Sequence, residues 1–340
     1  MLARSITFTL SDGQSVSTPL LLPSFSSKGF PDLKRVVSGL SEYISGPVLF
    51  SAYDVCHDKI ATKLPLSPEV LFIDSGGYEC SNITDVVEFD KGERKRDKSG
   101  KKESWNHDYY LEIIKKIIDK NNLSSKVIIS YDSPKKRWNL DEQISRAIND
   151  FEVFERKDPN IAKELLIKPE IYDKDPTYIP VDKIIKNIQK LKSFDIIGFT
   201  EKELGSTLIK AMINLSKIRR ALKQKGMNQL IHIFGSLDPI SSPLYFLCGA
   251  DIFDGVTWLR YAFFKGLTIY QQNYWFKQCP WDTATFALRM RSAIDNLRYL
   301  SVLKFEMKRF SKSKNFLVFE HNSELFEKMW KTVKSHIGGS

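Results

Sequence analysis

A chain of 340 residues with 42% hydrophobic and 12% aromatic content can bury a full core, which excludes the disordered and low-complexity classes. Its 51 Lys+Arg against 41 Asp+Glu leave a net charge of +10, which points to a polyanionic partner, nucleic acid first. No apolar stretch approaches roughly 18 residues and no charged-then-apolar leader follows Met1, so no membrane partner is expected and the location expected is cytoplasmic.

Residues 4 to 22 alternate and predict a hairpin around Ser11-Asp12-Gly13, a pair of lid strands ahead of the main fold. Short apolar runs then predict strands at Val48-Leu49-Phe50, Val70 to Asp74, Val127 to Asp132, Leu165-Leu166-Ile167, Ile196-Ile197-Gly198, Ile231 to Gly235 and Ile252 to Val256. Apolar residues spaced by three and four predict helices over Tyr109 to Asp119, Leu140 to Phe154, Val181 to Leu191, Leu204 to Leu222 and Pro243 to Cys248. Between the second strand and the first of these helices, the run Glu88 to Glu103 carries both charges densely and reads as a solvated loop or a nucleic-acid contact.

Beyond the last strand, Phe286 to Phe310 predicts a long basic helix and Ser323 to Val333 a second one. About seven or eight strand and helix units in alternation favour an α/β fold, a closed (β/α)8 TIM-like barrel with an N-terminal β-hairpin and C-terminal helices. The expected division is a catalytic barrel over residues 1-270 and a helical subdomain over 271-337 packed on it. Cys56, Cys80, Cys248 and Cys279 lie far apart with no CxxC pair, which argues against a disulfide framework and a zinc knuckle. No metal and no cofactor is expected. His232 is expected to pack within its strand, while His57, near a strand end, is the better polar candidate.

Barrels gather the C-terminal ends of their strands on one face, so the residues there carry the chemistry. Three of them are aspartates: Asp74 in Leu71-Phe72-Ile73-Asp74-Ser75-Gly76-Gly77-Tyr78, Asp132, and Asp254 in Asp251-Ile252-Phe253-Asp254-Gly255. They fall on the second, third and last of the predicted strands. Paired carboxylates suit glycosidic-bond chemistry, in which one attacks the anomeric carbon and the other handles the proton. Asp74 and Asp132 could equally cap the turns that follow them. Gly76 and Gly77 let a planar ligand approach the backbone, and the aromatics Tyr53, Tyr78, Phe199, Trp258 and Tyr261 beside the strand ends could sandwich a base or pack in the core.

At these residues the chain resembles the tRNA-guanine transglycosylases. Asp74-Ser75-Gly76-Gly77-Tyr78 resembles their DSGG(F/Y) motif, and Phe253-Asp254-Gly255-Val256 through Leu259-Arg260 resembles FDxVxPTR. Ala3-Arg4 with Thr18-Pro19, Phe50-Ser51-Ala52-Tyr53, Tyr131-Asp132 and Gly235-Ser236 follow the family's order, so the likeness runs over roughly residues 3 to 310. It implies a base-exchange enzyme in which Asp254 attacks the sugar carbon, guanine leaves, and a covalent Asp254-nucleotide intermediate forms. Asp74 is then the general acid or base, and Asp132 reads the purine edge. Ser75, Gly76, Gly77, Tyr78, Gly198, Phe199, Thr200 and Gly235 frame the base, and Tyr53, Arg260, Arg289, Arg291 and Arg298 contact the nucleic acid.

The family's CxCxxC motif and later histidine are missing: Cys279 stands alone, and Ile294-Asp295-Asn296-Leu297 has aspartate where the resemblance expects His-Asn-Leu. The zinc subdomain is thus expected to be reduced or lost. The VQG motif reads Ile167-Lys168-Pro169-Glu170 and the PTR turn reads Trp258-Leu259-Arg260. These changes, with Phe199 to Gly205 and Gly235-Ser236-Leu237-Asp238-Pro239, look more like the divergent paralogues that insert 7-cyano-7-deazaguanine into DNA. The expectation is therefore exchange of guanine in DNA for a 7-deazaguanine, with the same exchange on tRNA, or a catalytically idle nucleic-acid-binding or accessory subunit, as alternatives. A homodimer or a protein partner is possible under each of them.

Overall fold

The computed structural model describes residues 1–337 except 10–12, 14, 29, 31, 81–104, 122–124, 134–135, 171–176 and 281. The charged run Glu88 to Glu103 and most of the Ser11-Asp12-Gly13 turn lie outside the described residues. Strands β1 (Thr7–Thr9) and β2 (Ser15–Ser17) pair antiparallel as the N-terminal hairpin. The eight strands that follow are β3 (Leu20–Phe25), β4 (Val48–Ser51), β5 (Leu71–Asp74), β6 (Lys126–Ile129), β7 (Ile161–Ile167), β8 (Ile196–Thr200), β9 (Leu230–Phe234) and β10 (Ile252–Gly255). They form a closed, all-parallel barrel in which β10 pairs with β3, surrounded by helices: a (β/α)8 TIM-like barrel.

Two expectations are corrected at the start of the chain. The hairpin does not extend to residue 22, because Leu20 already belongs to β3, the first barrel strand. All six residues of β3 are buried, the continuous apolar run of a strand covered on both faces, which the alternation of the preceding segment concealed. Asp74 therefore ends the third barrel strand, and Asp132 lies three residues beyond the end of the fourth. Nor is the hairpin a lid over the strand ends that carry the acids. Phe8 and Val16 pack against Leu20, Val70, Leu230 and Ile252, residues that begin or precede the strands, so the hairpin plugs the opposite end.

Side chains alternate along each strand between this barrel interior and an outer layer packed under the helices. On β3, Leu20 and Leu22 join the interior cluster while Leu21 and Phe25 join the outer one. The helix Leu140–Glu155 starts at a capping box, with Asn139 accepting from the Glu142 N–H and Glu142 returning a bond to the Asn139 N–H. Two helices differ from expectation. Val181–Lys186 stops at Asn187 and a 3-10 turn continues to Ser193; the next helix begins at Leu208, where Thr207 caps Lys210, and not at Leu204.

After β10, a small antiparallel pair, β11 (Tyr261–Phe264) and β12 (Leu267–Tyr270), leads to the long helix Thr285–Ser313, which packs on β3 and β11, and to Ser323–Ile337. Asn296 ties the long helix to the barrel. Its amide donates to the Trp258 and Tyr261 carbonyls at 2.6 and 2.7 Å and accepts from the Phe263 N–H at 2.7 Å. Among the described residues no helix is long and apolar enough to cross a membrane.

Candidate active site

Asp254 sits in β10 with its side chain turned to the barrel interior and almost fully buried. Three groups from β3 and β9, the two strands that flank β10, surround the carboxylate. The Ser24 hydroxyl of β3 donates to Oδ2 at 2.7 Å, the Gly235 N–H just beyond β9 donates to Oδ1 at 3.1 Å, and His232 Nε2 of β9 lies 3.3 Å from Oδ1. His232 is itself held on its other side, where Nδ1 meets Glu164 Oε1 of β7 at 2.7 Å. All the solvent has been removed from His232 and Glu164. Burial alone would lower the imidazole pKa, but Glu164 and Asp254 outweigh it and raise it to about 9.

The second acid stands in a crowd of carboxyls. Asp74, at the tip of β5, accepts the Gly76 N–H at 3.0 Å in a tight turn where Gly76 has a φ of +90°. A Cβ on Gly76 would sit 2.3 Å from Tyr53 Cβ, and one on Gly77 would sit 2.4 Å from Asp132 Oδ2, so both positions require glycine. Burial first, then Glu79, Asp132 and Asp254, push the Asp74 carboxyl up to about 7 against the pull of the Gly76 N–H. Two neighbours share this environment. Glu79, bonded to the Ser26 hydroxyl, is raised to about 7 by burial and by Asp54. Asp54, fully buried and bonded to Ser27, is raised to about 6 by burial despite those bonds. A carboxyl that titrates near neutrality can both donate and accept a proton at working pH.

Asp132 is occupied differently. Its N–H donates to the Ser75 hydroxyl at 3.0 Å, which fixes the loop after β6 to the Asp74 turn. Its carboxylate is bound by Arg137 at 2.7 Å and lies 3.5 Å from Lys168, and both cations also reach Glu203, at 3.6 and 2.7 Å. Lys168 further donates to the Thr200 hydroxyl at 3.1 Å. Two acids and two cations from three loops thus join in one network beside the Asp74 corner.

Other expected site residues divide into those that face the strand ends and those that do not. Gly235, at φ +84° with open space where a Cβ would be, and Tyr78 lie at the mouth. The Tyr78 hydroxyl bonds Arg260 at 2.8 Å, and Arg260 also donates to the Lys28 carbonyl at 2.9 Å, so this arginine braces the mouth loops. Phe199 and Trp258 are fully buried in the outer layer and do not frame a ligand; the Trp258 indole donates to the Ser24 carbonyl at 3.0 Å. Gly198 faces inward but is closed off, since a Cβ there would meet Phe234 at 2.6 Å and Glu164 at 2.8 Å. Tyr53 is half-buried and stacks on His57 at 4.0 Å, while His57, which caps the short helix Ala52–Cys56, meets the Tyr53 carbonyl through Nδ1.

Along the helix Thr285–Ser313, Arg289, Arg291 and Arg298 are exposed, but Arg291 and Arg298 both pair with Asp295, at 2.7 and 3.1 Å. Asp295, which the resemblance places where a zinc-binding histidine would stand, also accepts the Tyr274 hydroxyl at 2.8 Å. Among the described residues no group of three or more His, Cys, Asp or Glu is gathered to hold a metal ion.

Glu164 gives no signal of its own in the sequence because the apolar run there starts at Leu165, whereas β7 begins at Ile161 and turns Ala162, Glu164 and Leu166 to the interior. His232 was placed in the right strand, but its role depends on Glu164. Period-two counting back from Lys168 reaches Glu164, and counting on from Leu230 along β9 reaches His232. Ser24 was missed with β3 itself, and the partners Arg137 and Glu203 lie on loops that carry no periodic signal. No protein-family model matches the sequence, and no curated protein matches it.

Proposed function

We propose that the chain is a base-exchange transglycosylase that replaces guanine in nucleic acid, DNA in the first instance, by a 7-deazaguanine such as 7-cyano-7-deazaguanine. The observation that carries the reading is the pair of unlike carboxyls at the strand ends: Asp254, whose two oxygens are held by the Ser24 hydroxyl and the Gly235 N–H, and Asp74, raised to about 7 in the same field. The first orients an attacking oxygen and the second serves as proton donor and acceptor. The motif resemblance around Asp74 and Asp254 and the net charge of +10 support the same reading.

In the first half-reaction, an Asp254 oxygen forms a bond to the sugar C1′ while the C1′–N9 bond breaks. The electron pair leaves with guanine, which takes its proton from Asp74. In the second, the incoming deazaguanine yields its proton to Asp74 and bonds to C1′, and the pair of the C1′–O bond returns to Asp254. A guanosine in a duplex must be unstacked and flipped to reach this interior, at a few kcal/mol.

Labelled guanine or 7-cyano-7-deazaguanine, incubated with DNA and with tRNA separately, tests the reading. Incorporation into DNA is expected, and it should vanish in Asp254→Asn. Incorporation into tRNA alone would transfer the proposal to tRNA, unchanged incorporation by the variant would remove the nucleophile, and tight binding without incorporation would leave a binding subunit.

A further inference from the structure

The barrel interior beneath Asp254 holds two ionisable side chains where its other layers hold Leu22, Leu49, Phe72, Ile129 and Leu166. Glu164 and His232 are completely buried and bonded to each other at 2.7 Å. A buried ion pair carries a desolvation cost that apolar residues of similar volume would avoid. Room has been made for it as well. Gly198, paired with His232 across the strand ladder, would clash with Glu164 if it carried even a methyl group. The imidazole is clamped between aromatic rings, stacked on Phe234 at 4.0 Å and met edge-on by Phe72 at 5.9 Å. With Nδ1 given to Glu164, Nε2 lies 3.3 Å from Asp254 Oδ1, in an off-axis contact and not a closed hydrogen bond. Catalytic hydrogen bonds are often loose in this way before the substrate is bound.

We infer that His232, braced by Glu164, is a positioning residue for Asp254 that stabilises its carboxylate as the group displaced when the second base arrives. The inference rests on the proposed attack by Asp254 and adds a step-specific role to it. While the carboxylate is esterified to C1′ it carries no charge, and an imidazolium beside it gains little. When the incoming base bonds to C1′ and the C1′–O bond breaks, the electron pair and the full charge return to Asp254, within reach of His232 Nε2 and the Gly235 N–H. The charged groups that face His232 are Glu164 of β7 and Asp254 of β10; β5 and β8 present Phe72 and Gly198. Discharge of the intermediate should therefore depend on His232 more than its formation does.

The test uses the full chain and a labelled DNA or tRNA strand, without added base, to follow formation of a denaturant-stable protein–nucleic acid adduct; 7-cyano-7-deazaguanine is then added and discharge timed. His232→Gln and Glu164→Gln are compared with wild type after melting curves have established that each is folded. Both variants are expected to form the adduct at nearly the wild-type rate and to discharge it roughly ten- to hundredfold more slowly, so that it accumulates in steady state. Discharge at the wild-type rate in a folded variant, or equal slowing of both steps, would overturn the positioning role while leaving Asp254 in place. No adduct in wild type, or an undiminished adduct in Asp254→Asn, would remove the underlying reaction and this inference with it. If His232→Gln does not fold, the more nearly isosteric Glu164→Gln decides.

Discussion

At the scale of single residues, the burial that raises Asp74 to about 7 links reactivity to stability. Below the ordinary carboxylate value both folded and unfolded chains hold the proton. As pH rises, the unfolded chain ionises first while the folded one resists, so stability falls until about pH 7 and the loss is complete above it. Asp74→Asn is therefore expected to stabilise the protein by about 2 kcal/mol at pH 8, and by nearly nothing at pH 3.5, in denaturant titrations, while abolishing base exchange. The same titration should govern activity: adduct formation, which requires the Asp74 proton, should decline above about pH 7. Gly198→Ala makes a separate claim, since a methyl 2.6 Å from Phe234 and 2.8 Å from Glu164 forces one of them to move. A loss of about 1–3 kcal/mol is expected, with disturbance of the His232 contact. Asp254 and Asp74 were legible because an acid followed by glycine at a strand end is a local pattern. Their supporting cast was not, because Ser24, Glu164 and His232 acquire meaning only when strands far apart in sequence become neighbours.

At the scale of elements, the chain was legible where packing demands periodicity and illegible where it does not. The helix Leu140–Glu155 shows its buried face and its capping box openly. Strand β3 hides, because Leu20–Phe25 is buried on both faces and lacks alternation, and its hairpin neighbours do alternate. Asp251, just before β10, joins several of these pieces: it accepts from Arg4 at 2.8 and 3.0 Å, from Arg219 of the helix Leu208–Gln224, and from the Ile231 N–H at 2.9 Å. Asp251→Ala leaves the Arg219 guanidinium buried beside an empty partner site, and a loss of about 3–5 kcal/mol is expected from chemical unfolding. The loops after β6, β7 and β8 contribute Asp132, Arg137, Lys168 and Glu203 to one ion network; of the partners it gives Asp132, Lys168 is legible as a strand-end residue, while Arg137 and Glu203 carry no sequence signal. The long helix is pinned to the barrel by Asn296, and Asp295 gathers Tyr274, Arg291 and Arg298 where the resemblance expects a metal-bound histidine.

At the scale of the whole molecule, the barrel interior is divided in two. Its lower layers are apolar and closed by the N-terminal hairpin, and its upper layers hold the acids, the buried histidine and the ion network. Under the proposed function, the net charge of +10 draws a polyanion to the barrel mouth, where the titrating carboxyls Asp74, Glu79 and Asp54 are gathered. Binding of DNA or tRNA should accordingly weaken linearly in log–log against salt, and Arg289→Glu, on a residue exposed along the long helix, should reduce both affinity and slope if that helix tracks phosphates. The claim on which the account turns is covalent attack by Asp254, and the direct measurement is mass mapping of the nucleotide adduct after denaturation and proteolysis. The expected result is a mass increment on the peptide containing Asp254, absent in Asp254→Asn. Base exchange proceeding with no adduct, or an adduct on any other residue, would contradict it.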